Sequence, residues 1–142
     1  MTFVSRVAAW IRGLFAPPPV PRQAPEHAPQ LATPVHFSSV FVVDKPPHND
    51  EIAAESFYCV MIANKPKWAL FKCPCRCGDV VTLSLQPVHR PHWRLTSTLA
   101  GRPTLYPSIW RDKGCLSHFW LRDGRVFWCA DSGMHPDRRT SY

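Results

Sequence analysis

Beyond its first 34 residues the chain is expected to fold as a small all-β domain, with mixed or antiparallel strands. Three features support this. Short runs rich in β-branched and aromatic residues recur from residue 35 onward, and no long helical pattern follows that point. Asp123-Gly124 separates two aromatic-rich runs, SHFWLR and RVFWC, the strongest short hairpin signal available. Residues 71–78 read FKCPCRCG and place three of the six cysteines at every second position. Thiols packed this closely suit a metal knuckle better than disulfides, because neighbours at this spacing cannot easily bridge each other.

Taken in order, residues 1–16 suggest a short amphipathic helix. Phe3, Val4, Val7, Trp10, Ile11, Leu14 and Phe15 fall near helical spacing, with Arg6 and Arg12 off the stripe. Pro17-Pro18-Pro19 ends it. Such a helix would dock on its own domain or on a partner. Two arginines are few for a membrane-surface anchor, so lipid contact is the less favoured reading. Residues 17–34 hold seven of the 16 prolines and read as an extended linker. The folded domain is expected over residues 35–131, with a flexible tail at 132–142. Within it, 35–43 (VHFSSVFVV) reads as a strand and 50–56 as a helical turn. Residues 57–63 (FYCVMIA) read as a central strand, because the run is apolar on both faces. Residues 67–72 lead into the cysteine cluster, 80–85 lead out of it, and 93–95 begin a further strand. Residues 117–122 and 125–129 form the hairpin.

A chain of 142 residues is enough for one domain with a modest core. Its formal net charge of +7 would suit nucleic acid, an anionic surface or an acidic protein. The basic residues are scattered, with no run longer than Arg138-Arg139, so nucleic acid is not favoured. The first residues lack a continuous apolar segment of export or membrane-spanning type, and a cytoplasmic location is expected. In that reducing compartment clustered thiols read as metal ligands.

Cys73, Cys75 and Cys77 would all point to one face of a straight strand, roughly 6–7 Å apart at successive positions. That is too far for a common zinc ion at about 2.3 Å from each sulfur. The chain must therefore bend, and Pro74 and Gly78 supply the means. The fourth ligand is expected to be Cys115, which follows a glycine just ahead of a strand. His118 and Cys129 are the alternatives; counting back from the Asp123-Gly124 turn pairs them across the hairpin. Cys59 lies in an apolar run and reads as a core thiol. Four protein ligands, with no open position, point to a zinc that staples the domain rather than one that catalyses.

Residues 102–119 (RPTLYPSIWRDKGCLSHF) carry the groups a hydrolytic reaction would need. A serine hydroxyl is a weak nucleophile unless a base stands within hydrogen-bond reach. His118 is the best-placed base, with Ser108 or Ser117 as nucleophile. Ser117 is adjacent to His118, yet neighbours on a strand point to opposite faces. Ser108 follows Pro107 in an apparent loop and could fold back onto the imidazole. Asp79, Asp112 or Asp131 could orient the ring. The simpler reading is that His118 is a ligand or structural hydrogen-bonder and that the serines cap turns. Trp93, Trp110, Trp120 and Trp128 read as core or rim, or as the lining of a groove for an extended peptide.

The order CPCRCGDVVTLSL, HWRL, GRPTLYPSIW, GCLSHFWLRDGRVFWC resembles the small cysteine-rich proteins encoded beside bacterial ubiquitin-like conjugation genes. Those genes specify an activating enzyme, a conjugating enzyme and a ubiquitin-like modifier, often in anti-phage islands. The resemblance covers roughly residues 55–130. It implies metal binding, matching Cys73, Cys75, Cys77 and Cys115. It also implies a serine-type peptidase that processes the modifier's C-terminal tail or removes the modifier from targets. That role would fall on Ser108, Ser117 and His118, and the implied partners are the modifier and its activating and conjugating enzymes. Two other classes stand beside this one: a non-catalytic zinc adaptor for the conjugation enzymes, and a nucleic-acid-binding zinc ribbon.

Overall fold

The computed structural model describes residues 33–138, so the expected N-terminal helix and most of the linker lie outside the described residues. Among the described residues, nine strands form three small sheets. The first sheet has four strands in the order β1 (Val40–Val43), β2 (Phe57–Ile62), β3 (Lys65–Lys72) and β4 (Val80–Ser84). β1 runs parallel to β2, and the other two pairings are antiparallel. β5 (Arg94–Ser97) pairs with β6 (Pro103–Tyr106). β7 (Ile109–Trp110), β8 (His118–Arg122) and β9 (Arg125–Trp128) make the third sheet, with β8 in the middle. A single 3-10 turn, Pro136–Arg138, is the only helical element among the described residues.

The four-stranded sheet forms because β2 and β3 are apolar on both faces. Phe57, Cys59, Ala69, Phe71, Val81 and Leu83 line one face and pack into the main core. Val60 and Leu70 point the other way, against Ile52. Phe57 and Phe71 are direct cross-strand partners and stack at 5.1 Å between ring centres. Phe37 meets both rings edge-on, at 5.7 and 5.4 Å. Each fully buried Phe contributes about 1.5–3 kcal/mol of hydrophobic stabilisation, and aromatic pairing adds about 0.5–1.5 kcal/mol per pair. Cys59 is buried within this core, as its apolar run suggests.

The Asp123-Gly124 hairpin has the register expected from a two-residue turn. Arg122 pairs with Arg125 and Phe119 with Trp128. Both turn residues have positive φ, 47° and 68°, the primed turn that matches strand twist. Gly124 also ties the hairpin tip to the rest of the fold. Its N–H donates to Pro103 O at 2.8 Å, and its carbonyl accepts from the N–H groups of His36 and Phe37. A Cβ at this position would sit 2.0 Å from Phe37 O, so no larger residue fits without moving backbone.

Three expectations need adjustment. Residues 35–43 do not make one strand: only Val40–Val43 is regular, while Val35 forms an isolated bridge to Arg125 and Phe37 turns into the core. Residues 50–56 form turns closed by Glu51 N–H to His48 O and Ser56 N–H to Ala53 O, without a helix. β6 and β7 flank Pro107, where the sequence reads as an apparent loop around Ser108. Pro103 is tolerated because it is the first residue of its strand.

The boundary expected at residue 131 falls inside a hydrogen-bonded turn. Ser132 N–H donates to Cys129 O, Gly133 N–H to Leu116 O and Met134 N–H to Asp131 O. No helix among the described residues is long and apolar enough to cross a membrane.

Candidate functional site

β8 and its neighbours decide which polar groups meet. Trp110 on β7 lies directly opposite His118 on β8. Cross-strand partners share a face, and the two rings stack in parallel with 4.2 Å between centres. Ser108 stands two residues before Trp110, so the strand period carries it to that same face. Its hydroxyl lies 3.1 Å from His118 Nε2. On the other side of β8, Cys129 N–H donates to His118 O at 2.9 Å, extending the hairpin ladder. Asp131 follows two residues later, and its carboxylate meets His118 Nδ1 at 2.5 Å.

Three neighbouring passes of chain thus deliver a serine, a histidine and an aspartate in line, with the imidazole on the middle strand. His118 is buried, 10% of its side chain exposed against 38% for Asp131. With Asp131 accepting from Nδ1–H, Nε2 is left to accept the Ser108 proton, the tautomer a general base requires.

The surroundings hold each member in place. Trp93 Nε1–H donates to Ser108 O at 3.2 Å, anchoring the segment that carries the hydroxyl. His118 N–H donates to Ser132 Oγ at 3.0 Å, fixing the turn that carries Asp131. Trp110 Nε1–H bonds Met134 O, tying the stacked indole to the same turn.

Of the three carboxylates open to the sequence, geometry selects Asp131. Asp79 accepts instead from Arg111 at 3.3 Å, and Asp112 is exposed beyond β7. Ser117 is not brought to the imidazole. It is buried, and alternation along the strand turns its hydroxyl toward Cys115 Sγ, 3.2 Å away. Trp110, which reads from sequence as core, rim or groove lining, covers the ring of His118.

Ser117 leads to the second cluster. After β3 ends at Lys72 the chain turns sharply through residues 73–78. Arg76 and Gly78 both take positive φ, and Cys73 N–H closes on Asp79 O. This bend gathers the thiols that a straight strand would separate. Cys115 arrives on a second tight loop, in which Gly114 and Leu116 have positive φ.

The Sγ atoms of Cys73, Cys75, Cys77 and Cys115 all lie within 4.8 Å of one another. Cys73 is 3.4 Å from Cys75 and 3.8 Å from Cys115. Four sulfurs at about 2.3 Å around a tetrahedral ion would be about 3.8 Å apart, so the donor set fits a metal ion with little rearrangement. His118 is not part of this set, and neither is Cys129.

The protonation of the four thiols is uneven. Burial pushes Cys73 up to about 12. Burial, aided by the neighbouring thiols, also raises Cys77. For Cys115 burial acts in the same direction, but hydrogen bonds from the Ser117 hydroxyl and backbone, and from Cys75 and Cys73, outweigh it and bring the thiol down to about 6. Arg111 stands beside it, with a guanidinium nitrogen 3.9 Å from Cys77 Sγ, where it would offset the negative charge of a four-thiolate centre.

A groove of about 410 Å³ ends at Pro107, the residue before Ser108. Trp93, Leu95, Tyr106 and Pro107 line it, and Arg94 lies over the Tyr106 ring.

A family model described as bacterial ubiquitination-like system serine protease (BubE) matches residues 42–129. The matched span includes Ser108, His118 and all four clustered cysteines; Asp131 lies two residues beyond it. No curated protein and no solved structure matches the chain.

Proposed function

The chain belongs to the family of serine proteases of bacterial ubiquitination-like systems, and from that premise we propose that Ser108, His118 and Asp131 are its catalytic triad. The substrate is the ubiquitin-like modifier, cut at the end of its C-terminal tail, either from a precursor extension or from a conjugated target. The observation that carries this reading is the continuous Ser108–His118–Asp131 hydrogen-bond chain, with separations of 3.1 and 2.5 Å.

Ser108 Oγ attacks the scissile carbonyl as His118 Nε2 takes its proton. Asp131 holds Nδ1–H and stabilises the imidazolium without accepting the proton itself. His118 then returns the proton to the departing amine. The resulting Ser108 ester is hydrolysed by a water that the same imidazole deprotonates. The groove that ends at Pro107, next to Ser108, supports an extended tail lying against Trp93, Leu95 and Tyr106, a mostly apolar surface.

Zinc is the metal best suited to Cys73, Cys75, Cys77 and Cys115, since four thiolates in a tetrahedron select it over harder ions. With four protein ligands it would leave no position for substrate. Its contribution is therefore to the fold: it links the end of β3 to the loop that precedes β8 and so helps position His118.

The purified protein incubated with the modifier precursor from its own operon tests the reading. Cleavage is expected from the unaltered chain, and a loss of about 10⁴-fold or more in kcat is expected for Ser108→Ala and for His118→Ala. Unchanged cleavage by either variant would overturn it.

A further inference from the structure

Three metal-ligating atoms converge at the catalytic imidazole itself: His118, Cys129 and Asp131 offer ligand atoms that all lie within 4.8 Å of one another. None of them belongs to the four-cysteine cluster. Cys129 reaches this place because the Asp123-Gly124 register sets it across β8 from His118. The triad as proposed makes no use of its thiol.

We propose that His118 Nδ1, Cys129 Sγ and the Asp131 carboxylate form a second zinc site that switches the peptidase off. This inference rests on the triad assignment given above. One imidazole nitrogen, one thiolate and one carboxylate make a borderline-soft donor set suited to Zn²⁺, with a water completing the tetrahedron. Asp131 is more exposed than His118, 38% against 10%, and gives the ion a path from solvent.

The inhibitory logic follows from the imidazole's two nitrogens. In the active arrangement Nδ1 carries the proton and donates to Asp131, leaving the Nε2 lone pair free for Ser108. A cation can bind Nδ1 only through that nitrogen's lone pair. The ring proton must then reside on Nε2, where it points at Ser108 Oγ and cannot accept a proton from it. The metal therefore removes the base without displacing any residue far. Two ligand atoms held at about 2.0 Å on a tetrahedral ion lie about 3.3 Å apart. The Nδ1–Asp131 separation is 2.5 Å, so the carboxylate needs to move by less than an ångström. Binding also releases the Cys129 thiol proton to solvent.

The test uses the full chain carrying one equivalent of zinc, titrated with Co²⁺ and, separately, with Zn²⁺. A second equivalent of Co²⁺ is expected to bind with the near-ultraviolet thiolate-to-cobalt absorption. Saturating Zn²⁺ is expected to slow fluorophosphonate labelling of Ser108 by about 10²-fold or more, the contribution of a general base. A mild chelator that leaves the first equivalent in place should restore the rate. Cys129→Ser and Cys129→Ala should each lose both the second absorption and the zinc inhibition while retaining labelling in chelated buffer.

Absence of a second bound equivalent in the unaltered chain would overturn the proposal, as would undiminished inhibition in both Cys129 variants. The cobalt absorption reads the site whether or not Ser108 reacts. A chain that binds the second ion through Cys129 but never labels at Ser108 would sink the triad and leave the metal site standing.

Discussion

Ser108 and Ser117 both lie close to His118 in the linear order, and strand geometry separates them. Ser108 shares a face with Trp110 and reaches Nε2 at 3.1 Å, whereas Ser117 alternates away and bonds Cys115 Sγ. Their substitutions should therefore fail differently. Ser108→Ala is expected to abolish cleavage with little change in thermal stability. Ser117→Ala should lose a hydrogen bond next to the thiol cluster, about 0.5–1.5 kcal/mol in denaturant unfolding. Asp131→Asn should lower kcat by about 10³–10⁴-fold, because the amide can donate to Nδ1 and stabilise the wrong tautomer. Trp110→Ala should have a smaller effect, roughly 2- to 30-fold in kcat, matching the loss of the indole face behind the imidazolium.

Alternation was legible before any coordinates, since it disfavours Ser117 from the sequence alone. The choice among Asp79, Asp112 and Asp131 was not. It depends on a turn after β9 closed by Ser132, Gly133 and Met134, residues that read as the start of a tail.

At the scale of elements, the β8–β9 hairpin does more than its length suggests. Its open end carries His118 and leads into the turn that holds Asp131 against it, and its tip docks through Gly124 onto Pro103 and Phe37. Gly124→Ala would force a Cβ into Phe37 O and place a side chain at a φ of 68°. The expected loss is about 2–4 kcal/mol in equilibrium unfolding, with catalysis per folded molecule retained. An unchanged midpoint would show that the Phe37 segment does not pack against the hairpin tip as described.

The hairpin was readable because its signal is local: Asp-Gly fixes the turn and the turn fixes the register. β6 and β7 were not, because each is short and flanked by proline, and their pairing comes from distant partners. The same is true of Phe37, which local pattern places in a strand and tertiary packing turns into the core.

At the largest scale, the three sheets of the described residues share a main core of modest size, and the cysteine cluster joins segments 42 residues apart in sequence, from Cys73 to Cys115. A metal held there at a thousandfold excess over its Kd would contribute about 4 kcal/mol. For a domain of this size its removal should lower Tm by roughly 15–30 °C. A strong chelator in a thermal melt, checked against metal content of one ion per chain, measures this. Retained Tm after complete metal loss would contradict the stapling role. The three close cysteines read as candidate metal ligands from sequence because thiols at that spacing have few other uses; their convergence with Cys115 needed the bend at residues 73–78.

The most direct measurement is reaction of the purified chain with a fluorophosphonate, read by intact mass and then by mapping the modified peptide. A single adduct on Ser108 is expected, absent in His118→Ala and greatly slowed in Asp131→Asn. An adduct on Ser117, or modifier cleavage that persists while Ser108 stays unlabelled, would contradict the assignment.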